Sequence, residues 1–212
     1  MPLGVATKTL GDVITNTKRQ FGDESGVQIT DADITRWCNQ ACMEIVNKNP
    51  MIQATAAQDS VAGTQTYPVP PDIIQIESVM FDGNILQPRN FEGIRAQLGT
   101  ANTTQQGTPE FWYTWADLIY LWPVPDVVKS ITVNYSKTPQ VVSTPADFLG
   151  LPDRYFDRIC EYVNSKAYEL DEDWSANANQ RQSFEDKLLE DTNAQTNMIG
   201  ELWVATDSEY EW

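Results

Sequence analysis

The apolar residues of this 212-residue chain recur at one spacing near the start, at another in the middle, and at the first again towards the end. Leu10, Val13, Ile14 and Phe21 return every three or four positions, which predicts a first amphipathic helix over residues 8–21. Gly11 weakens that prediction slightly. Gly22 and Gly26 punctuate the connection that follows. In the second helix, Ile34, Trp37, Cys38, Ala41, Ile45 and Val46 mark one face and Pro50 stops the run. Thr30 stands three before Asp33, the spacing of a capping box, in which hydroxyl and carboxylate serve each other's backbone amides.

From Met51 to about Phe148 the period moves toward two. Thr64–Val69 ends in Pro68-Val69-Pro70-Pro71, which blocks a helix. Ile74 and Ile76 alternate with Gln75 and Glu77, and Asp82-Gly83-Asn84 reads as a hairpin turn. Asn90 is placed to cap a short helix carrying Phe91, Ile94 and Leu98, and the polar stretch Gly99–Gly107 reads as a loop. The strongest strand signal is Glu110-Phe111-Trp112-Tyr113-Thr114-Trp115, a turn at Ala116-Asp117, and Leu118-Ile119-Tyr120-Leu121-Trp122-Pro123. Aromatic and β-branched side chains suit a pleated, half-buried surface. Ser130–Tyr135 supplies a further strand, and a loop bearing Pro139 and Pro145 leads out.

Helical spacing then returns. Pro152 suits the first turn of a third helix, whose stripe is Tyr155, Ile159, Tyr162, Val163, Ala167 and Leu170. A fourth helix is predicted from Ser175 to about Thr196, with a thin stripe of Ala178, Phe184 and Leu188. Such a helix gains little from a core of its own. The expected fold is α+β: a helical bundle from residues 1–50 and 149–197, a central antiparallel β-rich insertion over 51–148, and an extended C-terminal tail over 198–212. That tail carries Leu202, Trp203, Val204, Tyr210 and Trp212. Burying a large apolar side chain is worth about 1.5–3 kcal/mol, so these five are candidates for docking on the parent domain or on another chain.

Charge narrows the partners. The formal net charge is −16, which argues against free binding to a phosphate backbone, since no surplus of cations exists to release counterions. A repulsive wall along a DNA passage remains compatible with it. The acidity is uneven: residues 169–212 hold 2 basic and 12 acidic side chains, whereas residues 1–48 hold 5 and 6. It reads either as a solvated helix face or as a lumen wall, and the two can coexist.

Three cysteines, Cys38, Cys42 and Cys160, and no histidine leave little for chemistry. The odd count and the absence of a signal-like start predict a soluble protein made in a reducing compartment, with buried thiols. No run approaches the roughly 18 apolar residues of a membrane span. The Asn102 and Asn134 sequons therefore read as chance matches. A histidine-based serine triad is impossible, no Gly-rich phosphate loop is present, and the ligand set disfavours zinc. The best enzyme case is a metal-dependent nuclease built from Asp126 with Glu185-Asp186-Lys187. Pro152-Asp153 matches that pattern equally well, and a role at a helix start explains Asp153 better. Asp171-Glu172-Asp173 reads as a solvated turn, and no cofactor is called for. Trp112, Trp115 and Trp122 read as core or as an apolar belt. Arg154 and Arg158, one turn apart, either join an ion pair between subunits or coat the third helix.

Three stretches resemble the head-to-tail adaptor (connector) proteins of tailed bacteriophages. Asp31-Ala32-Asp33-Ile34-Thr35-Arg36-Trp37-Cys38-Asn39-Gln40-Ala41 looks like the second helix of that family. Thr108-Pro109-Glu110-Phe111 through Leu121-Trp122-Pro123-Val124-Pro125-Asp126 looks like its central hairpin. Leu151-Pro152-Asp153-Arg154-Tyr155, with Ala167-Tyr168-Glu169, looks like its third helix. The resemblance implies a non-enzymatic virion protein in the neck between capsid and tail, assembled in the bacterial host cytoplasm. Its implied partners are the portal protein, tail or neck proteins, and copies of itself in a ring, a dodecamer by analogy with portal symmetry. DNA would pass through the ring without specific binding, and no membrane is involved.

On this reading Leu202, Trp203, Val204, Tyr210 and Trp212 are portal-binding candidates. Trp112, Trp115, Trp122, Arg154 and Arg158 are subunit or tail interface candidates, and Glu185, Asp186, Glu190 and Asp191 are channel-lining candidates. The alternatives are another phage neck or tail-completion protein, or the nuclease.

Overall fold

The computed structural model describes residues 7–92 and 105–207, the stretch from 194 onward as backbone only. The chain forms two compact units, one from residues 1–49 with 139–212 and one from residues 50–138.

The first unit is helical: α1 (Leu10–Phe21), α2 (Asp31–Lys48), a single 3-10 turn (Asp153–Tyr155) running into α3 (Phe156–Leu170), and α4 (Trp174–Asp207). A full capping box opens α1, with the Thr9 side chain taking the Asp12 amide and the Asp12 carboxylate taking the Thr9 amide. At α2 only half of the expected box is present. Thr30 Oγ1 accepts from the Asp33 amide at 3.2 Å, while the Asp33 carboxylate takes the Thr30 hydroxyl at 2.7 Å.

Leu10, Val13, Ile34, Cys38, Ala41, Ile45, Val46, Tyr155, Ile159, Val163 and Ala167 form the core of this unit. Two residues predicted for the buried stripes lie outside. Leu170 is 53 % exposed because it ends α3 beside the turn, and Ala178 faces outward on α4. Residues 139–148, expected in the β insertion, belong to the helical unit. They are fastened there by the Leu10 and Gly11 amides, which donate to the Asp147 and Pro145 carbonyls at 3.0 and 2.9 Å. A Cβ on Gly11 would sit 2.9 Å from that Pro145 oxygen, so a residue that costs helix propensity is required by a close approach.

The predicted end of the fourth helix near Thr196 falls short. Helical backbone continues to Asp207, so most of the segment from 198, expected to be extended, prolongs α4. Met198, Ile199, Leu202 and Trp203 supply the helical spacing that a lone Gly200 does not interrupt.

The second unit is β-rich. One sheet has the order β1 (Gln53–Asp59), β10 (Ser130–Lys137), β3 (Ile73–Phe81), β4 (Asn84–Ile85), all antiparallel. A second has the order β2 (Thr66–Pro68), β8 (Leu118–Trp122), β7 (Phe111–Trp115), β5 (Gln87–Pro88), with β5 parallel to β7. β6 (Gln106–Gly107) and β9 (Val124–Pro125) form a short parallel pair. Tyr67, Val79, Phe81, Leu86, Ile119, Leu121, Ile131, Val133 and Tyr135 make the core of the unit. The Asp82-Gly83 turn has positive φ at both residues, 49° and 80°, as a two-residue hairpin turn requires. Of the short helix predicted after Asn90, Phe91 and Glu92 are helical, while Ile94 and Leu98 lie outside the described residues.

The fold class is α+β, with helices from both ends of the chain and a β-rich middle.

Candidate functional site

Helix α4 carries more charged side chains than any other helix, and its two sides differ. Towards α2 and α3 it buries Phe184 and Leu188, and around them runs a belt of polar ties. The Arg181 guanidinium donates to both oxygens of Glu44 on α2, at 2.5 and 3.3 Å. Lys187 and the Ser183 hydroxyl both meet Oε1 of Glu161 on α3, the latter at 3.2 Å. Arg158 Nε of α3 reaches Asp191 at 3.3 Å, and the Asn177 amide donates to the Ser165 carbonyl at 2.7 Å. Burial opposes the Arg181 charge, but its bonds to Glu44 and Glu185 outweigh that and hold its pKa above the ordinary value.

The outward side of α4 presents Gln182, Glu185, Asp186, Leu189 and Glu190, all exposed. Glu185 is tied back to Arg181 at 2.9 Å and Asp186 to Gln182 at 2.7 Å, both one turn away. Of the four channel-lining candidates, Glu185, Asp186 and Glu190 therefore share one open face. Asp191 instead turns inward to Arg158, so an interface candidate and a channel candidate are each other's partner. Arg154 is exposed and lies over the Tyr155 ring at 5.0 Å. Leu202, Trp203 and Val204 fall on the helical backbone of α4. Their side chains, and the whole of Tyr210 and Trp212, lie outside the described residues.

In the β unit the three tryptophans behave differently. Trp122 stacks on Phe111, ring centroids 5.9 Å apart. Trp112 is half-buried, and its indole N–H is enclosed without a hydrogen-bond partner. Trp115 is 58 % exposed beneath Phe91, 5.4 Å away. Trp112 and Trp115, with Val69, Ile73, Ile74 and Ile76, line an open groove of about 550 Å³. Beside it lies the Ala116-Asp117 turn, where two non-glycine residues hold φ of 49° and 58°. That is backbone strain stored next to an apolar surface.

The remaining candidates for chemistry are absorbed into structure. Cys38, Cys42 and Cys160 are buried and unpaired by disulfides. The hydrogen bond with Cys42 and then burial push the Cys38 thiol far up, and burial pushes Cys160 up to about 12, so all chemistry that needs a thiolate there is suppressed. Lys187 is committed to Glu161, and Asp126 belongs to the other compact unit. Among the described residues no group of three or more Cys, Asp or Glu is placed to hold a metal ion, and no helix is long and apolar enough to cross a membrane. Asn134 sits mid-strand, taking the Thr55 hydroxyl and donating to the Ser78 hydroxyl, and so ties three strands together. Asp153 accepts from the Thr7 amide and hydroxyl and the Lys8 amide, fixing the chain ahead of α1 to the start of α3.

The inter-helix ion pairs were missed by sequence reading, because partners 137 positions apart, such as Glu44 and Arg181, leave no local trace. The Thr9–Asp12 capping box was legible and overlooked.

No curated protein matches this chain. A family model described as the SU10 adaptor protein matches residues 8–206, which takes in both compact units and nearly all of α4. The order of helices, β-rich middle and helices is thus one family unit from end to end, and the chain belongs to the SU10 adaptor protein family, a phage head-to-tail adaptor family of structural virion components.

Proposed function

We propose that the protein docks on the portal as a ring, links it to the tail, and lines the passage through which DNA moves. The observation that carries this reading is α4: a 34-residue helix with an acidic open face and an aromatic-bearing C-terminal end. At 1.5 Å per residue such a helix is about 50 Å long. α3 has 15 residues and spans about 22 Å. The Arg158–Asp191 pair brings the first turn of α3 level with Asp191, and α4 continues beyond that level to Asp207.

Leu202, Trp203, Val204, Tyr210 and Trp212 on and after that continuation are the portal contacts in this reading. Docking that is weak at one subunit becomes firm when repeated around a closed ring. Glu185, Asp186 and Glu190 face the DNA, where like charge discourages sticking. The groove at Trp112 and Trp115 is the contact for the next subunit or for a tail protein, and Trp122, stacked on Phe111, is the third aromatic candidate of that unit. On the helical unit, the exposed Arg154 is a separate subunit or tail interface candidate, and Arg158 is engaged by Asp191.

The test is removal of residues 198–212 followed by pull-down with portal protein. Binding should be lost while the folded helical unit remains intact by circular dichroism. Retained binding would move the portal contact elsewhere and favour a neck component further from the portal. Addition of divalent metal and plasmid DNA addresses the nuclease alternative: cleavage that disappears in Asp126→Ala and Lys187→Ala would overturn the structural reading.

A further inference from the structure

The belt of charge around Phe184 and Leu188 has a consequence for motion. In the part of α4 with described side chains, these are the two buried apolar residues. The other ties to α2 and α3 are polar, and three of them are ion pairs between helices. The charged groups that meet at this contact are Glu44 on α2, Arg158 and Glu161 on α3, and Arg181, Glu185, Lys187 and Asp191 on α4. The side chains of the three inter-helix pairs are 17–39 % exposed, so salt and competing ions reach them. Oε2 of Glu161 is enclosed without a partner, which leaves that carboxylate dependent on Lys187 and Ser183.

We propose that α4 is a charge-latched arm, able to leave α2 and α3 and fray in water while α1, α2 and α3 stay packed on one another. The lever is ionic competition. Screening shortens from about 10 Å at 0.1 M salt to about 3 Å at 1 M, which weakens the three inter-helix pairs. The apolar core of α1, α2 and α3 loses nothing by it. Release turns Phe184 and Leu188 outward beside the exposed Leu189 and converts a polar arm into one with an apolar stripe for a partner to take up. This inference goes beyond the adaptor reading and does not depend on which protein α4 meets.

Hydrogen–deuterium exchange on the full chain tests it, in a series from about 0.05 M to about 1 M NaCl at neutral pH. Amides of residues 177–193 should exchange about tenfold faster at the high end, while buried α2 and α3 amides change less than about twofold. The Arg181→Gln, Lys187→Gln double variant should show the fast pattern already at low salt. Salt-independent protection of α4 overturns the proposal, as does a common rise in exchange across α2, α3 and α4. If the double variant fails to fold, the wild-type salt series decides alone.

Discussion

Helices α3 and α4 lie against each other and are held by different forces. α3 buries Ile159, Cys160, Tyr162, Val163 and Ala167 within its 15 residues. α4 buries Phe184 and Leu188 in the stretch from 174 to 193 and otherwise relies on charge. Apolar burial is insensitive to salt and collective, whereas partly exposed ion pairs contribute little each and are screened. On the proposed reading, the contrast separates a scaffold helix from a working one. An adaptor needs both, because a surface that grips partners must rest on a core that does not yield.

The sharpest way to break the comparison is to cut equal-sized pieces from both helices. Ile159→Ala, at a position with no exposure, should cost about 3 kcal/mol and unfold α1, α2 and α3 together. Urea denaturation followed by circular dichroism reads both the cost and the cooperativity. Leu188→Ala removes a side chain buried to a similar degree, yet α4 can shift to close the gap. The expected loss is about 2 kcal/mol, seen as faster proteolysis within α4 ahead of global unfolding. Equal, global losses from both substitutions would show that α4 is as much part of the scaffold as α3.

These two helices also mark where the sequence was legible. α3 declared itself through Pro152 and a stripe that proved buried at five of six positions, Leu170 excepted. The hairpin of β7 and β8 was equally plain, because aromatics crowd both strands around a two-residue turn. β1 passed unnoticed: Gln-Ala-Thr-Ala-Ala-Gln-Asp alternates in burial, but its inward residues, Ala54, Ala56 and Gln58, are small or polar and carry little hydrophobic signal. The reach of α4 was underestimated because the segment from Gly200 on reads as keeping neither period, whereas Met198, Ile199, Leu202 and Trp203 carry helical spacing across that glycine. Spacing reports which face is apolar and is silent about which charge on α2 awaits Arg181. Accordingly the class of fold and the adaptor family were readable, and the inward turn of Asp191 and Arg158 was not.

Removing one charge sharpens the comparison further. Arg181→Met keeps the stem that covers the Tyr162 and Phe184 rings, each about 5 Å from the guanidinium, and deletes the bond to Glu44. The loss should be about 1 kcal/mol at low salt and should shrink as salt is raised. A change of Glu44→Gln in the same background should then add little, since its partner is already gone. Thermal melts at two ionic strengths measure this. An Arg181→Met cost that is independent of salt would mean that ring packing, not charge, fastens α4.

Acid provides the finest discrimination, because each helix begins at a carboxylate with a lowered pKa. For Asp153 the causes are the Thr7 hydroxyl and amide and then the Lys8 amide; for Asp173, just before α4, they are the Ala176 amide and the Ser175 hydroxyl. A folded-state pKa below the unfolded value of about 3.9 stabilises at higher pH, and that stabilisation is lost as the pH falls through the folded pKa. Both helix starts should therefore loosen as the pH falls below about 3.9. Their consequences differ, since Asp153 joins residues 146 apart and Asp173 reaches only its own first turn. Asp153→Asn should release Thr7 and Lys8 and remove their part of the acid dependence, leaving the first turn of α4 as it was. Asp173→Asn should do the reverse. Amide exchange of residues 7–8 and 176–177, followed from pH 5 downward, separates the two, and an effect of either substitution on both helix starts would mean that α3 and α4 respond as one body.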